Sequence, residues 1–289
     1  MQLVHLFLGR EMERPELIPF LDGTAAIYTA PSPGRTTPNE DASALIARDA
    51  DSGLIVVADG AGGTRGGGDA SRIAVETLAR TVLAGAADGS ALRVSVLNGI
   101  EQANHAIAEL GTGAATTVVI AQIKSGELRP YHAGDSVVML VGARGKVKHQ
   151  NVAHGPVGYA VEAGMLDQKE AMVHEERHLV SNFVGSEDMM IEVGPRFRRA
   201  ALDTLLVASD GLSDNLYLEE IVERMRRGPL HEAATKLVSI CRHRMSSPDT
   251  NQPSKPDDLT IVLFRKNRSS RASRVRNASP PQPAVTPVI

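Results

Sequence analysis

Leu54-Ile55-Val56-Val57-Ala58-Asp59-Gly60-Ala61-Gly62-Gly63 is an apolar run that ends on a single carboxylate and a glycine turn. The apolar run Leu54 to Ala58 reads as a short buried strand. It stops at Asp59, and the glycines behind it let backbone approach a ligand closely. The same arrangement returns at Leu205-Leu206-Val207-Ala208-Ser209-Asp210-Gly211, with variants at His132-Ala133-Gly134-Asp135 and Pro256-Asp257-Asp258-Leu259. Several strand-end aspartates in one chain point to a metal site, because hard divalent cations take oxygen ligands.

With 289 residues and no interior stretch of linker composition, the chain reads as one large domain with a sizeable core. Its formal charge is −3 with both signs interspersed, so no nucleic-acid partner is expected and nothing global suggests a membrane surface. The single cysteine, Cys241, excludes an intramolecular disulfide and fits a reducing compartment. It falls within a helical pattern and reads as a buried, idle thiol. Met1 to Leu8 is apolar but has no basic region ahead of it, and Arg10-Glu11-Met12-Glu13-Arg14 follows at once, which makes a poor secretory signal. No charge-free apolar run reaches the roughly 18 residues that a spanning helix requires. The expectation is a monomeric cytoplasmic protein without a membrane span.

Residues 1–23 carry no clear period and read as an N-terminal extension. Thr24 to Thr29 reads as a strand, and Pro31-Ser32-Pro33-Gly34 turns it into Arg35-Thr36-Thr37-Pro38-Asn39-Glu40-Asp41. After the glycine loop, Asp69 and Ser71 offer helix N-caps, and Ile73, Ala74, Thr77, Leu78 and Val82 follow helical spacing. Leu92, Val96, Ile100, Ala103, Ile107 and Leu110 mark a second helix, ended by Gly111. Ala115 to Ile123, Leu128 to His132, Val137 to Val141 and Lys146 to Gln150 read as strands, the last two as a hairpin. Gly155 to Gly164 reads as irregular and Asp167 to His178 as a short polar helix. Met189 to Val193, Leu202 to Ser209 and Leu259 to Phe264 read as strands, Leu216 to Arg227 and His231 to Met245 as amphipathic helices. Strands and helices arrive in runs with short connections, which argues for α+β with packed antiparallel sheets and helices outside. The domain is expected over residues 24–265. Residues 266–289, basic and then proline-rich, read as a disordered tail.

Asn39-Glu40-Asp41, Val57-Ala58-Asp59-Gly60-Ala61-Gly62-Gly63, Gly113 to Val118, His132-Ala133-Gly134-Asp135-Ser136, Ser209-Asp210-Gly211-Leu212-Ser213-Asp214 and Asp257-Asp258-Leu259-Thr260-Ile261-Val262 occur in this order. That order and spacing resemble the metal-dependent serine/threonine protein phosphatases, the protein phosphatase 2C-like (PPM) family. The resemblance implies a four-layer αββα sandwich and hydrolysis of phosphoserine and phosphothreonine, by in-line attack of a water that bridges two Mn²⁺ or Mg²⁺ ions. Carried over by position, Asp59 bridges the metals, the Gly60 carbonyl and Glu40 bind the second, and Asp210 and Asp257 hold the first. Asp135 looks toward a third, weakly bound ion, and Asp41 orients metal-bound water. Phosphorylated proteins are the implied partners, with a serine/threonine kinase opposing.

The residue types agree independently of the family. An all-oxygen set suits Mg²⁺ or Mn²⁺, and the lack of a histidine or cysteine cluster argues against zinc. Two such ions lower the pKa of water and neutralise phosphate oxygens without a covalent enzyme intermediate. The chain departs from the family at Thr36, where an arginine that grips phosphate usually stands; Arg35 precedes it, and Arg65 lies in the glycine loop. Arg35 is the candidate phosphate-binding residue. Ala61 replaces the residue that follows Asp-Gly in the family, histidine in animal members and methionine in many bacterial ones, and Gly68 replaces a glutamate, with Asp69 adjacent. The altered arginine motivates an alternative, a catalytically weak pseudophosphatase that binds phosphoproteins as a regulator. A nucleotide cradle over Gly60 to Gly68 lacks the lysine and following serine or threonine of a P-loop.

Overall fold

A computed structural model describes residues 3–61, 66–247, 249 and 251–267. Strands β1 (Val4–Leu8), β2 (Glu16–Phe20), β3 (Gly23–Ala30), β4 (Asp41–Ala47) and β5 (Ser52–Asp59) come first, followed by helices α1 (Gly67–Ala87) and α2 (Leu92–Ala108). Next are β6 (Val118–Lys124), β7 (Glu127–Ala133), β8 (Val137–Val141) and β9 (Val147–Gln150), then α3 (Pro156–Glu162), α4 (Gln168–Val173) and a 3-10 turn over Glu175–His178. The chain continues through β10 (Glu192–Val193), β11 (Phe197–Arg198), β12 (Thr204–Ala208), α5 (Asp210–Ser213), α6 (Leu218–Met225), α7 (Leu230–Ser246) and β13 (Leu259–Lys266).

All strand pairs are antiparallel. One sheet runs β1-β4-β5-β6-β7-β10, with β11 also on β7, and the other runs β2-β3-β13-β12-β8-β9. Strand β5 shows why its sequence is apolar throughout. Ile55 and Val57 face the second sheet in the main core, whereas Leu54, Val56 and Ala58 face Ala74, Leu78, Val96 and Ile100 of the α1/α2 pair. A strand covered on both faces leaves no position for a polar residue until it reaches Asp59 at its end. On the other side, Ile221, Met225, Ala233, Leu237 and Cys241 of α6 and α7 close over the second sheet. The result is the expected α+β sandwich of two antiparallel sheets with helix pairs outside.

Three local expectations change. Residues 3–23 are part of the sandwich, because β1 and β2 complete one edge of each sheet: β1 pairs with β4 and β2 with β3. At the other end β13 runs on to Lys266 and the Asn267 amide donates to the Asp22 carbonyl at 3.0 Å, so the boundary at residue 265 is not visible in the fold. The remainder of the tail, from residue 268, lies outside the described residues. Helix α1 starts from Gly66, left-handed at φ 101°, with neither Asp69 nor Ser71 capping it. Instead the Ser71 hydroxyl donates to the Glu40 and Gly68 carbonyls and ties the helix to the chain before β4. Gly155 to Gly164, expected irregular, holds the two-turn α3, with Pro156 at its first position. Among the described residues no helix is long and apolar enough to cross a membrane.

Candidate metal centre

Sheet register builds the site. In the β4/β5 pair Asp41 stands directly opposite Asp59, and two carboxylates in that relation repel unless a cation lies between or beside them. β12 ends at Ala208 and hands Asp210 to the first turn of α5; the Ser209 amide donates to the Thr260 carbonyl, which ties this corner to β13 beside Asp257 and Asp258. β7 ends at Ala133, and Gly134, at φ +110° with Thr117 packed where a Cβ would stand, turns the chain into Asp135. The Asp59 carbonyl accepts from the Thr117 amide and the Thr116 hydroxyl, both at 2.8 Å, and Thr117 Oγ1 pairs with Ser136 Oγ at 2.7 Å. One end of the sandwich thus gathers Glu40, Asp41, Asp59, Asp135, Asp210 and Asp257.

Gly60 is held where no side chain fits. An added Cβ would lie 2.4 Å from the carbonyl carbon and oxygen of Gly67 and 2.8 Å from the Glu40 carbonyl oxygen. The glycine lets the start of α1 close over the end of β5, beside Glu40 and Gly60.

The electrostatics are those of crowded carboxylates that Lys255 and Arg35 neutralise only in part. Burial, then the carboxylates of Asp41, Asp210, Asp257 and Asp135, push Asp59 well above the ordinary carboxylate range. Burial and then Asp258 raise Asp41, against hydrogen bonds from Thr260 and Ser209. Burial, Asp210 and Asp214 raise Asp135. Asp257 is pushed up to about 6 and Asp214 to about 7 by burial and then by Asp210. Within this cluster Asp210 is lowered: burial is the largest single influence and opposes its charge, but the Lys255 ammonium together with hydrogen bonds from Asp59 and Asp214 outweighs it. A bound divalent cation inverts this logic and favours every ionised form. Two atoms argue that the set suits such an ion. Asp41 Oδ1 and Asp210 Oδ1 are buried without a hydrogen-bond partner among the described residues, a costly condition that a hard cation removes.

Arg35 reaches this centre. Its guanidinium pairs with Glu40 Oε2, and Nη1 lies 3.4 Å from Asp258 Oδ1. Asp258 in turn accepts the Ser32 amide at 2.9 Å and the Glu40 amide at 2.6 Å, so it fixes both ends of the loop that carries Arg35. Arg65 lies outside the described residues.

Sequence reading missed three groups here. Asp258 carries no assigned role in the sequence, yet it is buried and holds the Arg35 loop. Asp214 follows Asp210 by one helical turn, a spacing that places both carboxylates on one side of α5. Lys255 Nζ lies 2.8 Å from Asp210, 2.6 Å from Asp214 and 3.2 Å from Asp257.

A separate cluster joins His132, His154 and Glu192, whose ligand-type atoms lie within 4.8 Å of one another. Hydrogen bonds assign the protons. The Gly134 amide and Asn182 Nδ2 both donate to His154 Nδ1, so His154 Nε2 carries the hydrogen and donates to Glu192 at 3.2 Å. His132 Nε2 donates to the Val152 carbonyl at 2.9 Å. Neither Nε2 retains a lone pair for a metal, so His132 is a local hydrogen-bonding group.

Comparison with known proteins yields one family and a consistent set of neighbours. The Protein phosphatase 2C family profile matches residues 34–249. Protein phosphatase PhpP of Streptococcus pneumoniae is 29% identical over 225 residues, which cover 74% of this chain and 86% of that one. The structure of the Streptococcus agalactiae serine/threonine phosphatase superposes with a TM-score of 0.69 at 26% identity, over 84% of this chain and 99% of that one. The catalytic domain of serine/threonine protein phosphatase PstP in complex with 2 manganese ions shares the fold, with a TM-score of 0.66 at 24% identity over 83% and 96% of the two chains.

Proposed function

The chain belongs to the protein phosphatase 2C family, and from that premise we propose that it is a metal-dependent phosphatase that releases phosphate from phosphoserine and phosphothreonine in proteins. The observation that carries this reading is the meeting of five aspartates and Glu40 from separate segments at one end of the sandwich, with unsatisfied buried oxygens on Asp41 and Asp210. Mn²⁺ or Mg²⁺, when bound, supplies the Lewis acidity that makes water a nucleophile near neutral pH and neutralises phosphate oxygens. Two ions are proposed, with a third held weakly.

The protein's own groups divide the work. Asp59, crowded by Asp41, Asp210, Asp257 and Asp135, is the carboxylate that would be shared between the ions. Glu40 and the Gly60 carbonyl would hold one ion, Asp210 and Asp257 the other, and Asp135 a third. Asp41 keeps Oδ2 engaged by the Ser209 hydroxyl at 2.9 Å and has Oδ1 free to accept a proton from the attacking water. Arg35 grips the phosphate, a role supported by its place beside the proposed ligand Glu40. A phosphoprotein is the substrate, and a serine/threonine kinase would supply it.

The test is Mn²⁺-dependent phosphate release from a phosphopeptide, with Asp59→Asn and Asp210→Asn as controls. Both substitutions and chelation are expected to abolish turnover. Activity that survives either treatment would sink the proposal.

A further inference from the structure

Lys255 is built into the carboxylate cluster rather than laid on it. Its amide donates to Asn215 Oδ1 at 2.9 Å, and Asn215 Nδ2 donates back to its carbonyl at 2.8 Å. Asn215 is fully buried just after α5, so the backbone of Lys255 is clamped on both sides to the element that carries Asp210 and Asp214. From there the side chain turns inward, and its three N–H donors match one oxygen each from Asp210, Asp214 and Asp257. Asp210 and Asp257 are the pair proposed above for one divalent ion. Asp210 Oδ1 is left free and buried, but the Oδ2 atoms of both residues are engaged by the ammonium.

An ammonium and a divalent ion on the same two oxygens repel each other strongly at such short range. We propose that Lys255 is a tethered cation that competes with the ion held by Asp210 and Asp257. That ion enters as the ammonium leaves, and in its absence the ammonium keeps the crowded carboxylates from pushing this corner of the fold apart. Catalysis then responds to the concentration of free metal over a range set by a residue of the chain itself. The inference rests on the metal-dependent reading of the site.

The test compares the full chain with Lys255→Met, which keeps the length and apolar stem of the side chain and removes the charge. Mn²⁺ binding is measured by calorimetry and thermal unfolding is followed in chelator. The variant is expected to bind the Mn²⁺ ion of the Asp210 and Asp257 site about tenfold more tightly or better, a change of the size that groups neighbouring a metal produce. Its melting temperature in chelator is expected to fall below that of the unmodified chain. Lys255→Arg, which retains a cation, should behave as the unmodified chain does. A merely structural role predicts the opposite sign, since a damaged site binds metal more weakly. If Lys255→Met folds only with Mn²⁺ present, its affinity is read from the loaded protein by competition with a metal indicator. Equal or weaker Mn²⁺ binding by Lys255→Met overturns the role of Lys255 and leaves the phosphatase reading standing. An unmodified chain that binds no Mn²⁺ overturns both.

Discussion

Replacing Arg35 by alanine removes the guanidinium nearest the proposed ligand Glu40 and leaves that ligand's backbone in place, since the Glu40 amide is held by Asp258. A charge-assisted hydrogen bond contributes about 1.5–3 kcal/mol. The Arg35 side chain is 33% exposed, which screens the interaction, so the expected loss toward a phosphate is about 2 kcal/mol, at the lower end of that range. In turnover this is roughly a thirtyfold fall in kcat/KM. The assay is hydrolysis of a phosphothreonine peptide at saturating Mn²⁺, with calorimetric Mn²⁺ binding alongside. Because Arg35 now shares Glu40 with the proposed ion, its removal should leave Mn²⁺ affinity unchanged or slightly tighter. Arg35→Lys should recover part of the loss, since a point charge lacks the two-pronged geometry. An unchanged kcat/KM in Arg35→Ala would refute the reasoning and return the phosphate-gripping role to another side chain. Weakened Mn²⁺ binding would show that Arg35 supports the metal site and not the substrate.

Two further outcomes follow from the same geometry. Gly60→Ala places a Cβ 2.4 Å from the Gly67 backbone and must pry the end of β5 from the start of α1; a loss of about 2–3 kcal/mol in denaturant unfolding and a larger proportional loss of activity are expected, and an alanine variant that matches the parent in both would show that the contact yields cheaply. His132 is pushed down to about 4 by burial and by His154 and His149, against Glu192, whereas in the unfolded chain it titrates near the usual value of about 6.5. Its folded pKa is depressed, so the unfolded state takes up the proton first. The stability it affects is intact above about pH 6.5 and lost as pH falls toward about 4, by as much as about 3 kcal/mol. Unfolding by urea between neutral pH and pH 4.5 should therefore be steeper in pH for the parent than for His132→Asn, and parallel profiles would refute the assignment.

Much of the layer architecture was legible from local patterns. The strands β5, β6, β12 and β13 are apolar runs because each is buried on both faces, and α1, α2 and α7 keep a helical stripe because only one side meets a sheet. Strand β4, Asp41–Ala47, escaped notice because it mixes alanine, serine and aspartate with few large apolar residues, although every position is buried. The two edge strands from the first 20 residues have little periodicity, and their pairing with β4 and β3 defines them. α3 is only seven residues long, too short for a period to show.

By itself the sequence determined the chemistry available: acidic residues at strand ends, a glycine turn behind Asp59, no disulfide partner for Cys241, and a motif order matched by one phosphatase family. Only the tertiary structure decided which charges meet. Asp41 faces Asp59 because of strand register, Asp258 reaches the Glu40 amide across 218 positions of chain, and Lys255 turns into the carboxylates because Asn215 clamps its backbone. Short-range pattern reports which face of an element is buried. Register and closure between distant segments are set by the packing of the whole sandwich, and through them the counterion of each buried charge.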